Sequence, residues 1–374
     1  MALFLFWSAA VFIVYTYLIY PALIILFSKF RRVSALENTN TSDLPSISMI
    51  IVVYNEEEKI TRKLNNCFEL DYPSELLEIC VLSDGSTDRT NEILRGRKDI
   101  LFIEEKDQRG KPRQLNKAVS AVNGELVVFS DVRQKYSTDA LRKLARNFAS
   151  EDIGAVSGEL HLSDTAISTG KNIGLYWEYE KMIRRAEAVI DSTLGVTGAI
   201  YAIRRDLFEP VSEDTILDDI EIPLQIFKKG YRVIFESEAV AQDISSSKMK
   251  EEWRRKVRTL AGNFQLFSRN KWLFNPFKNR IFIQTISHKF FRLLVPYAML
   301  AVLITSAVSG GIFYSSLFII QLIFYTSAVA ACYFSALRQN RFINIIFVFT
   351  SLNWAAVVGL YKFASGRIDV RWKR

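Results

Sequence analysis

The stretch "ISMIIVVYN", residues 47 to 55, decides the fold. Apolar, mostly β-branched residues run almost unbroken and stop at Tyr54 and Asn55, which reads as a strand buried on both faces with a polar end. Residues 56–70 then place apolar side chains at helical spacing. "LEICVLSDGSTD" (77–88) repeats the order: strand, turn, then a helix capped by Ser86 or Thr87. "ILFIEE" (100–105) reads as a third strand, 112–122 as a helix and "ELVVFSD" (125–131) as a fourth strand. This alternation predicts an α/β, Rossmann-like domain built on a mostly parallel, doubly wound sheet. Such sheets bind ligands outside the carboxyl ends of their strands, where Tyr54, Asn55, Asp84 and Asp131 fall.

The flanks of this domain are of another kind. Of 374 residues, 49% are hydrophobic, and the mean hydropathy of +0.10 exceeds what a soluble enzyme needs. Residues 2–27 are uncharged and long enough to cross a hydrocarbon core of about 30 Å. A cleaved signal peptide fits poorly: there is no basic leader, and Lys29, Arg31 and Arg32 follow directly. A retained anchor with those cations on the cytosolic side is expected. Three further apolar runs, 293–309, 312–334 and 342–361, read as transmembrane or interfacial helices. The expected order is an anchor (1–32), a linker (33–46), an enzyme-like domain (47–247), a basic amphipathic interfacial segment (248–292), terminal transmembrane helices (293–362) and a basic tail (363–374).

Charge and cysteine usage narrow the partners. Twelve Lys/Arg against two Glu lie between Lys248 and Arg292, interleaved with aromatic residues, within a net charge of +8. Just before a membrane span this pattern means an anionic lipid surface, and no nucleic-acid partner is expected. Cys67, Cys80 and Cys332 have no metal-ligand spacing and suit a reducing cytosol. Two histidines, His161 and His288, exclude a His-rich metal site. The positive-inside rule places the domain in the cytosol of a multi-pass cell-membrane protein. It also prefers the basic tail inside, against three full terminal spans, so one terminal segment is expected to be interfacial or re-entrant.

Taken singly, the polar motifs are weak. "SDGSTD" could be a helix-capping turn, or a carboxylate and backbone groups at a nucleotide cleft. "RGKPRQLN" (109–116) sets Gly110 and Lys111 before a helix, where phosphate can meet exposed N–H groups and a cation, without the spacing of a Walker loop. "GVTGAIYAIRR" (195–205) reads as a glycine-punctuated strand suited to close approach of a ligand. Asp218 and Asp219 open a helix, where acids are also simply favoured by the helix dipole. Asp131 begins "DVRQ", with Arg133 where an Asp-x-Asp metal pair would have its second carboxylate.

In order, "VVYNEE", "LSDGSTD", "GKPRQLN", "VFSDVRQ", "TGAIYAIRR" and "DDIEIPLQIFKKGYRVIFE" resemble the membrane-embedded family 2 glycosyltransferases, which include synthases of cellulose, hyaluronan and poly-N-acetylglucosamine. The resemblance covers about residues 47 to 260 and implies a nucleotide-sugar-binding GT-A fold. It implies that Val53, Tyr54, Glu56 and Asp84 line the nucleoside pocket and that Lys111 reaches the diphosphate. Asp131 then binds Mg²⁺ or Mn²⁺, and Gly198 and Ala199 border the acceptor. Asp219, with Asp218 beside it, matches the end of the family's Thr-Glu-Asp motif and is the implied general base. Arg255 and Arg258 fall where the polymer synthases carry Gln-x-x-Arg-Trp, but "RKVRT" has lost the glutamine and the tryptophan, which puts processivity in question. The implied activity is inverting transfer of a hexosyl or N-acetylhexosaminyl group from a nucleotide sugar, UDP-linked by family habit, to a saccharide acceptor in exopolysaccharide or surface-glycan synthesis. A lipid-linked acceptor such as a polyprenyl phosphate is the alternative, a nucleotide-sugar-binding protein without turnover is a third reading, and secretion-complex subunits are admitted as partners. Arg133 is expected either to compensate charge on the leaving diphosphate or to pair with a surface acid such as Asp139.

Overall fold

The computed structural model describes residues 1–31, 44–162, 171–243 and 249–368. Most of the expected linker (33–46), the end of the basic tail and the 247/248 boundary lie outside the described residues. The chain divides into two compact units.

One unit, built from Arg31–Ala166 and Glu187–Ser246, contains an eight-stranded sheet in the order β3-β2-β1-β4-β7-β6-β8-β5. Its strands are β1 Ile47–Val53, β2 Leu77–Asp84, β3 Leu101–Glu105, β4 Leu126–Ser130, β5 Lys135–Tyr136, β6 Ile153–Leu162, β7 Ile200–Arg204 and β8 Arg232–Asp243. β1 is buried along its whole length, as its unbroken apolar run requires. β1 pairs in parallel with β2 and β4, β2 with β3, and β6 with β8. β7 is antiparallel to both β4 and β6, so β4, β6 and β8 run the same way. The sheet is mixed but mostly parallel, and one edge collects the carboxyl ends of β1, β2, β3, β4, β6 and β8. Isoleucine, valine and leucine from β1, β2 and β4 join Ile60, Leu64 and Cys67 of helix Ile60–Phe68 and the helix Ala140–Ala145 in one core.

Two local readings shift. The helix expected over 56–70 is confined to Ile60–Phe68, and ahead of it the backbone N–H groups of Asn55, Glu56 and Glu57 bond to Ser86, Thr90 and Asp88. The strand expected over 195–205 is confined to Ile200–Arg204. Upstream of it, Val196 N donates to Asp219 O (3.0 Å) and Thr197 N to Ser157 Oγ (2.9 Å), which bends 196–199 into a turn.

The other unit comprises Met1–Phe30, Ile167–Ala186 and Ser247–Ile368. Among the described residues, four of its helices are long and apolar enough to cross a membrane: Ala2–Ser28, Phe282–Val308, Ile312–Tyr333 and Arg341–Ala364. The second starts eleven residues before the expected 293, inside what the sequence reads as an interfacial segment. Its charges are matched within this unit: Glu180 takes a hydrogen bond from the His288 ring (3.1 Å) and pairs with Arg292. Glu180 lies on helix Lys171–Ile190, which the sequence reading had placed within a continuous 47–247 domain and which here belongs largely to the helical unit.

Candidate active site

The "VVYNEE" and "SDGSTD" loops, following neighbouring strands, are stitched to each other. Asn55 N donates to Ser86 Oγ (3.1 Å), Thr87 N to Asn55 Oδ1 (2.8 Å), Glu56 N to Thr90 Oγ1 (2.8 Å) and Arg89 N to Glu57 Oε2 (2.9 Å). Asn55 makes this possible with φ of +53°, a left-handed conformation that asparagine tolerates better than most residues. Val53 is buried, and Tyr54 and Glu56 are half-buried beside it. At Gly85, φ is +72° and a Cβ would come within 2.6 Å of the backbone at Asp107 and Gln108, so only glycine lets the 107–110 segment approach.

Asp84 explains why that segment is close. Its carboxylate, fully removed from solvent, accepts from Arg109 N (2.8 Å), Gly110 N (2.9 Å) and the Gln114 side-chain amide. The residue expected in the nucleoside pocket anchors the Arg109–Gly110 loop, and through it fixes Lys111 at the start of helix Lys111–Ala121. Lys111 Nζ lies 3.0 Å from Asp131 Oδ1 and 3.5 Å from Asp218 Oδ2. Burial opposes a charged Lys111, but Asp131, Asp218 and Asp219 outweigh it and raise its pKa above the ordinary lysine value. Burial likewise opposes a charged Asp131, yet Lys111, Arg133 and Lys63 hold its carboxyl below the usual range.

Asp218 and Asp219 start helix Asp218–Lys228, and Asp218 is buried with no hydrogen bond to its Oδ2. Asp219 is half-buried and sits against Gly198, where a Cβ would come within 3.0 Å of Asp219 Oδ2 and 3.1 Å of its Cβ. Ala199, next in the turn, accepts through its carbonyl from Tyr136 Oη (2.9 Å). Tyr201 stacks on Phe129 with centroids 4.6 Å apart. Burial first, and then Asp218, Asp219 and Asp131, push its hydroxyl well above the ordinary value, so it stays protonated.

The structure thus gathers Lys111, Asp131, Asp218, Asp219 and Gly198 at the carboxyl edge. Arg133 is not paired with Asp139, whose ion-pair partner is Lys143 (2.6 Å). Its Nη2 instead lies 3.4 Å from Asp243 Oδ2, and the same carboxylate accepts from Gln134 Nε2 (3.1 Å). Asp243, at the end of β8, was missed from sequence, although the strand-end argument that selected Asp84 and Asp131 applies to it equally. Arg255 and Arg258 lie on helix Met249–Arg269 of the helical unit.

A sheet of this order with acids and a loop lysine at its carboxyl edge defines a nucleotide-sugar transferase fold of the GT-A type. The chain matches Glycosyl transferase family 2 over residues 48–211 and Glycosyl transferase family group 2 over 135–357, the second taking in more than half of it. It belongs to the family 2 glycosyltransferases. It is 25% identical over 241 residues to the poly-beta-1,6-N-acetyl-D-glucosamine synthase of Staphylococcus aureus (strain COL), covering 62% of this chain and 58% of that one. The corresponding Staphylococcus epidermidis synthase is 24% identical over 249 residues, with 64% and 60% covered. The chain therefore spans less than two thirds of the length of these curated relatives. Among solved structures, the mannosyltransferase PcManGT from Pyrobaculum calidifontis, in complex with GDP-Man and Mn²⁺, aligns with 97% of this chain and 100% of its own at a TM-score of 0.72 and 21% identity, which establishes the common fold.

Proposed function

We propose that the protein transfers a single hexosyl or N-acetylhexosaminyl group per catalytic event from a nucleotide sugar, with inversion, to a saccharide acceptor at a membrane, with its catalytic unit in the cytosol. The observation that carries this reading is Asp219 held against Gly198 in the same cluster as Lys111 and Asp131. In the proposed reaction the acceptor hydroxyl gives its proton to the Asp219 carboxylate as its oxygen bonds to the anomeric carbon. The bond from that carbon to the diphosphate breaks on the opposite face, which inverts the configuration. Negative charge then accumulates on the leaving nucleoside diphosphate, and the ammonium of Lys111 and the guanidinium of Arg133 are the cations of this unit suited to receive it. Arg255 and Arg258 are proposed as further cations. Asp84 orients Lys111 through its loop, and Val53, Tyr54 and Glu56 are proposed for the nucleoside, Gly198 and Ala199 for the acceptor.

Among the described residues no three His, Cys, Asp or Glu side chains form a metal cage. The residues do fit an ion held by one carboxylate together with donor phosphates and water, a common arrangement for Mg²⁺. Asp131, about a third of its side chain exposed, is the residue that would hold Mg²⁺ or Mn²⁺, which when bound would neutralise charge on the diphosphate. The replacement of the synthases' glutamine and tryptophan by Arg255 and Thr259 favours a second reading, single transfer to a polyprenyl phosphate.

The test is a screen of UDP- and GDP-sugars with the full-length protein in detergent, with Mg²⁺ or Mn²⁺, offering oligosaccharide and polyprenyl-phosphate acceptors. Consumption of one donor with product of opposite anomeric configuration is expected. A ladder of products distinguishes a polymerase from a single-transfer enzyme, and failure to consume any donor would sink the reading.

A further inference from the structure

Helix Ile60–Phe68 carries a lysine on the wrong face. Ile60, Leu64 and Cys67 point into the core, and Lys63, three residues after Ile60 and four before Cys67, is 2% exposed. A buried ammonium costs several kcal/mol unless it is matched, and among the described residues no carboxylate lies within ion-pair distance of this one. Its Nζ donates instead to the carbonyl of Gln134 at 2.9 Å and stands 4.2 Å over the ring of Tyr136. Three positions along, Asn66 clamps the same segment, accepting from Tyr136 N (2.7 Å) and donating to Tyr136 O (3.0 Å). The segment so held begins with Asp131 and Arg133, and through Tyr136 Oη it reaches the carbonyl of Ala199 beside Gly198. The field of Lys63 also reaches Asp131.

The charge count shows what such a lysine does. Asp131, Asp218, Asp219 and Asp243 face Lys111 and Arg133, which leaves negative charge in excess where a diphosphate must bind. Lys63 lowers that excess without occupying the cleft. We propose that Lys63 is a positioning residue of the transfer site, which holds the Asp131–Gln134 turn from inside the core and places a positive charge beneath Asp131 that a bound nucleoside diphosphate senses without touching it. The inference rests on the reading of the site as a nucleotide-sugar site and adds to it a residue outside the cleft.

Binding by the full-length protein in detergent with Mn²⁺ tests it, using UDP and GDP, each compared with its uncharged nucleoside, in wild type, Lys63→Met and Lys63→Gln. Lys63→Met should weaken the diphosphate that wild type binds by about tenfold, the order expected for removing one charge several ångströms away in a partly desolvated site, and leave the nucleoside within about twofold. Lys63→Gln keeps a donor for the Gln134 carbonyl but no charge, so it should bind the diphosphate between the two. A purely structural lysine would lower affinity for diphosphate and nucleoside alike, or for neither, and either result overturns the inference. If Lys63→Met does not fold, Lys63→Gln decides: diphosphate affinity equal to wild type overturns it. A wild type that binds neither nucleotide overturns the underlying reading and this inference together, whereas normal binding in both variants removes only the inference.

Discussion

Gly198 leaves the room that the Asp219 side chain occupies, since a Cβ at that position would crowd the carboxylate. Replacing Asp219 by asparagine keeps the shape but removes the proton acceptor, so turnover should fall by about 10²–10⁴-fold, as for a general base, with nucleotide affinity within a few-fold of wild type. Turnover near wild type would take Asp219 out of that role. Gly198→Ala attacks the same carboxylate from its neighbour. The added Cβ would stand 3.0 Å from Asp219 Oδ2, tighter than ordinary contact, and the side chain has to give. A tenfold or larger loss of kcat is expected, with thermal stability nearly unchanged, because displacement of a catalytic group by about 1 Å is costly to rate. Equal activity in Gly198→Ala would mean that the carboxylate moves without consequence. Arg133 poses a different problem, since it is tied to Asp243, whose side chain is only 6% exposed. Arg133→Ala should lower kcat and also destabilise, because the buried carboxylate keeps Gln134 but loses its cation. In Arg133→Ala with Asp243→Asn the stability loss should be partly recovered and the kcat loss should persist. Recovery of both would make Arg133 a structural residue alone.

Among the elements, what was legible depended on whether each strand is followed by its own signal. β1 to β4 are apolar runs that end in polar turns before helical spacing, and their parallel pairing follows from the alternation. β6, "IGAVSGELHL", interrupts its apolar run with two glycines, and β5 is two residues long, so neither stood out. The antiparallel β7 was seen as a strand, but its first residues are drawn into a turn by Ser157 and Asp219, partners that no local pattern identifies. The strand-end rule found Asp84 and Asp131, yet only the structure shows that Asp84 acts on the Arg109–Gly110 backbone. Lys63 did leave a trace, a cation on the Ile60, Leu64 and Cys67 face of helix Ile60–Phe68. That burial has a pH signature. Desolvation pulls the Lys63 pKa from 10.5 down to about 8, against smaller opposing effects of Cys67 and Asp131. Between those values the unfolded chain holds a proton that the folded one has released, so stability gains with rising pH across the window. The melting temperature of wild type should therefore rise relative to Lys63→Met from pH 8 to 10. Parallel curves for the two proteins would contradict the burial of a titrating ammonium. Asp131 and Lys111 behave oppositely: a depressed carboxyl loses its contribution only in acid and a raised lysine only in strong alkali, so their pair should persist from about pH 5 to 10.

For the whole molecule, charge around the apolar helices specifies a topology. Lys29 and Arg31 follow helix Ala2–Ser28, whereas the link between Val308 and Ile312 is Ser309, Gly310 and Gly311, without charge. Arg338 and Arg341 mark the next link, before helix Arg341–Ala364. Cations therefore alternate with a neutral turn, as the positive-inside rule requires if the amino terminus is outside and the catalytic unit is in the cytosol. The tail strains this scheme, because with four crossings Arg367 lies outside. Length does not resolve the conflict by singling out a re-entrant helix: the shortest of the four has 22 residues, enough at about 1.5 Å per residue to cross a core of about 30 Å. Four full crossings are therefore the prediction, with the short tail tolerated outside. Labelling of intact cells with a membrane-impermeant thiol reagent checks it in a Cys332→Ser background, since Cys332 is exposed while Cys67 and Cys80 are buried. Gly310→Cys should label from outside, and a side chain there meets nothing within 4 Å. Ser137→Cys and Ser335→Cys should stay unlabelled until the membrane is opened, and Ser365→Cys should label from outside. An unlabelled Ser365→Cys with the other results intact would mean that helix Arg341–Ala364 does not cross, and the basic tail would then share the cytosolic side with the catalytic unit. Labelling of Ser137→Cys in intact cells would overturn the orientation, and would put the proposed nucleotide-sugar site on the side of the membrane where activated sugars are scarce.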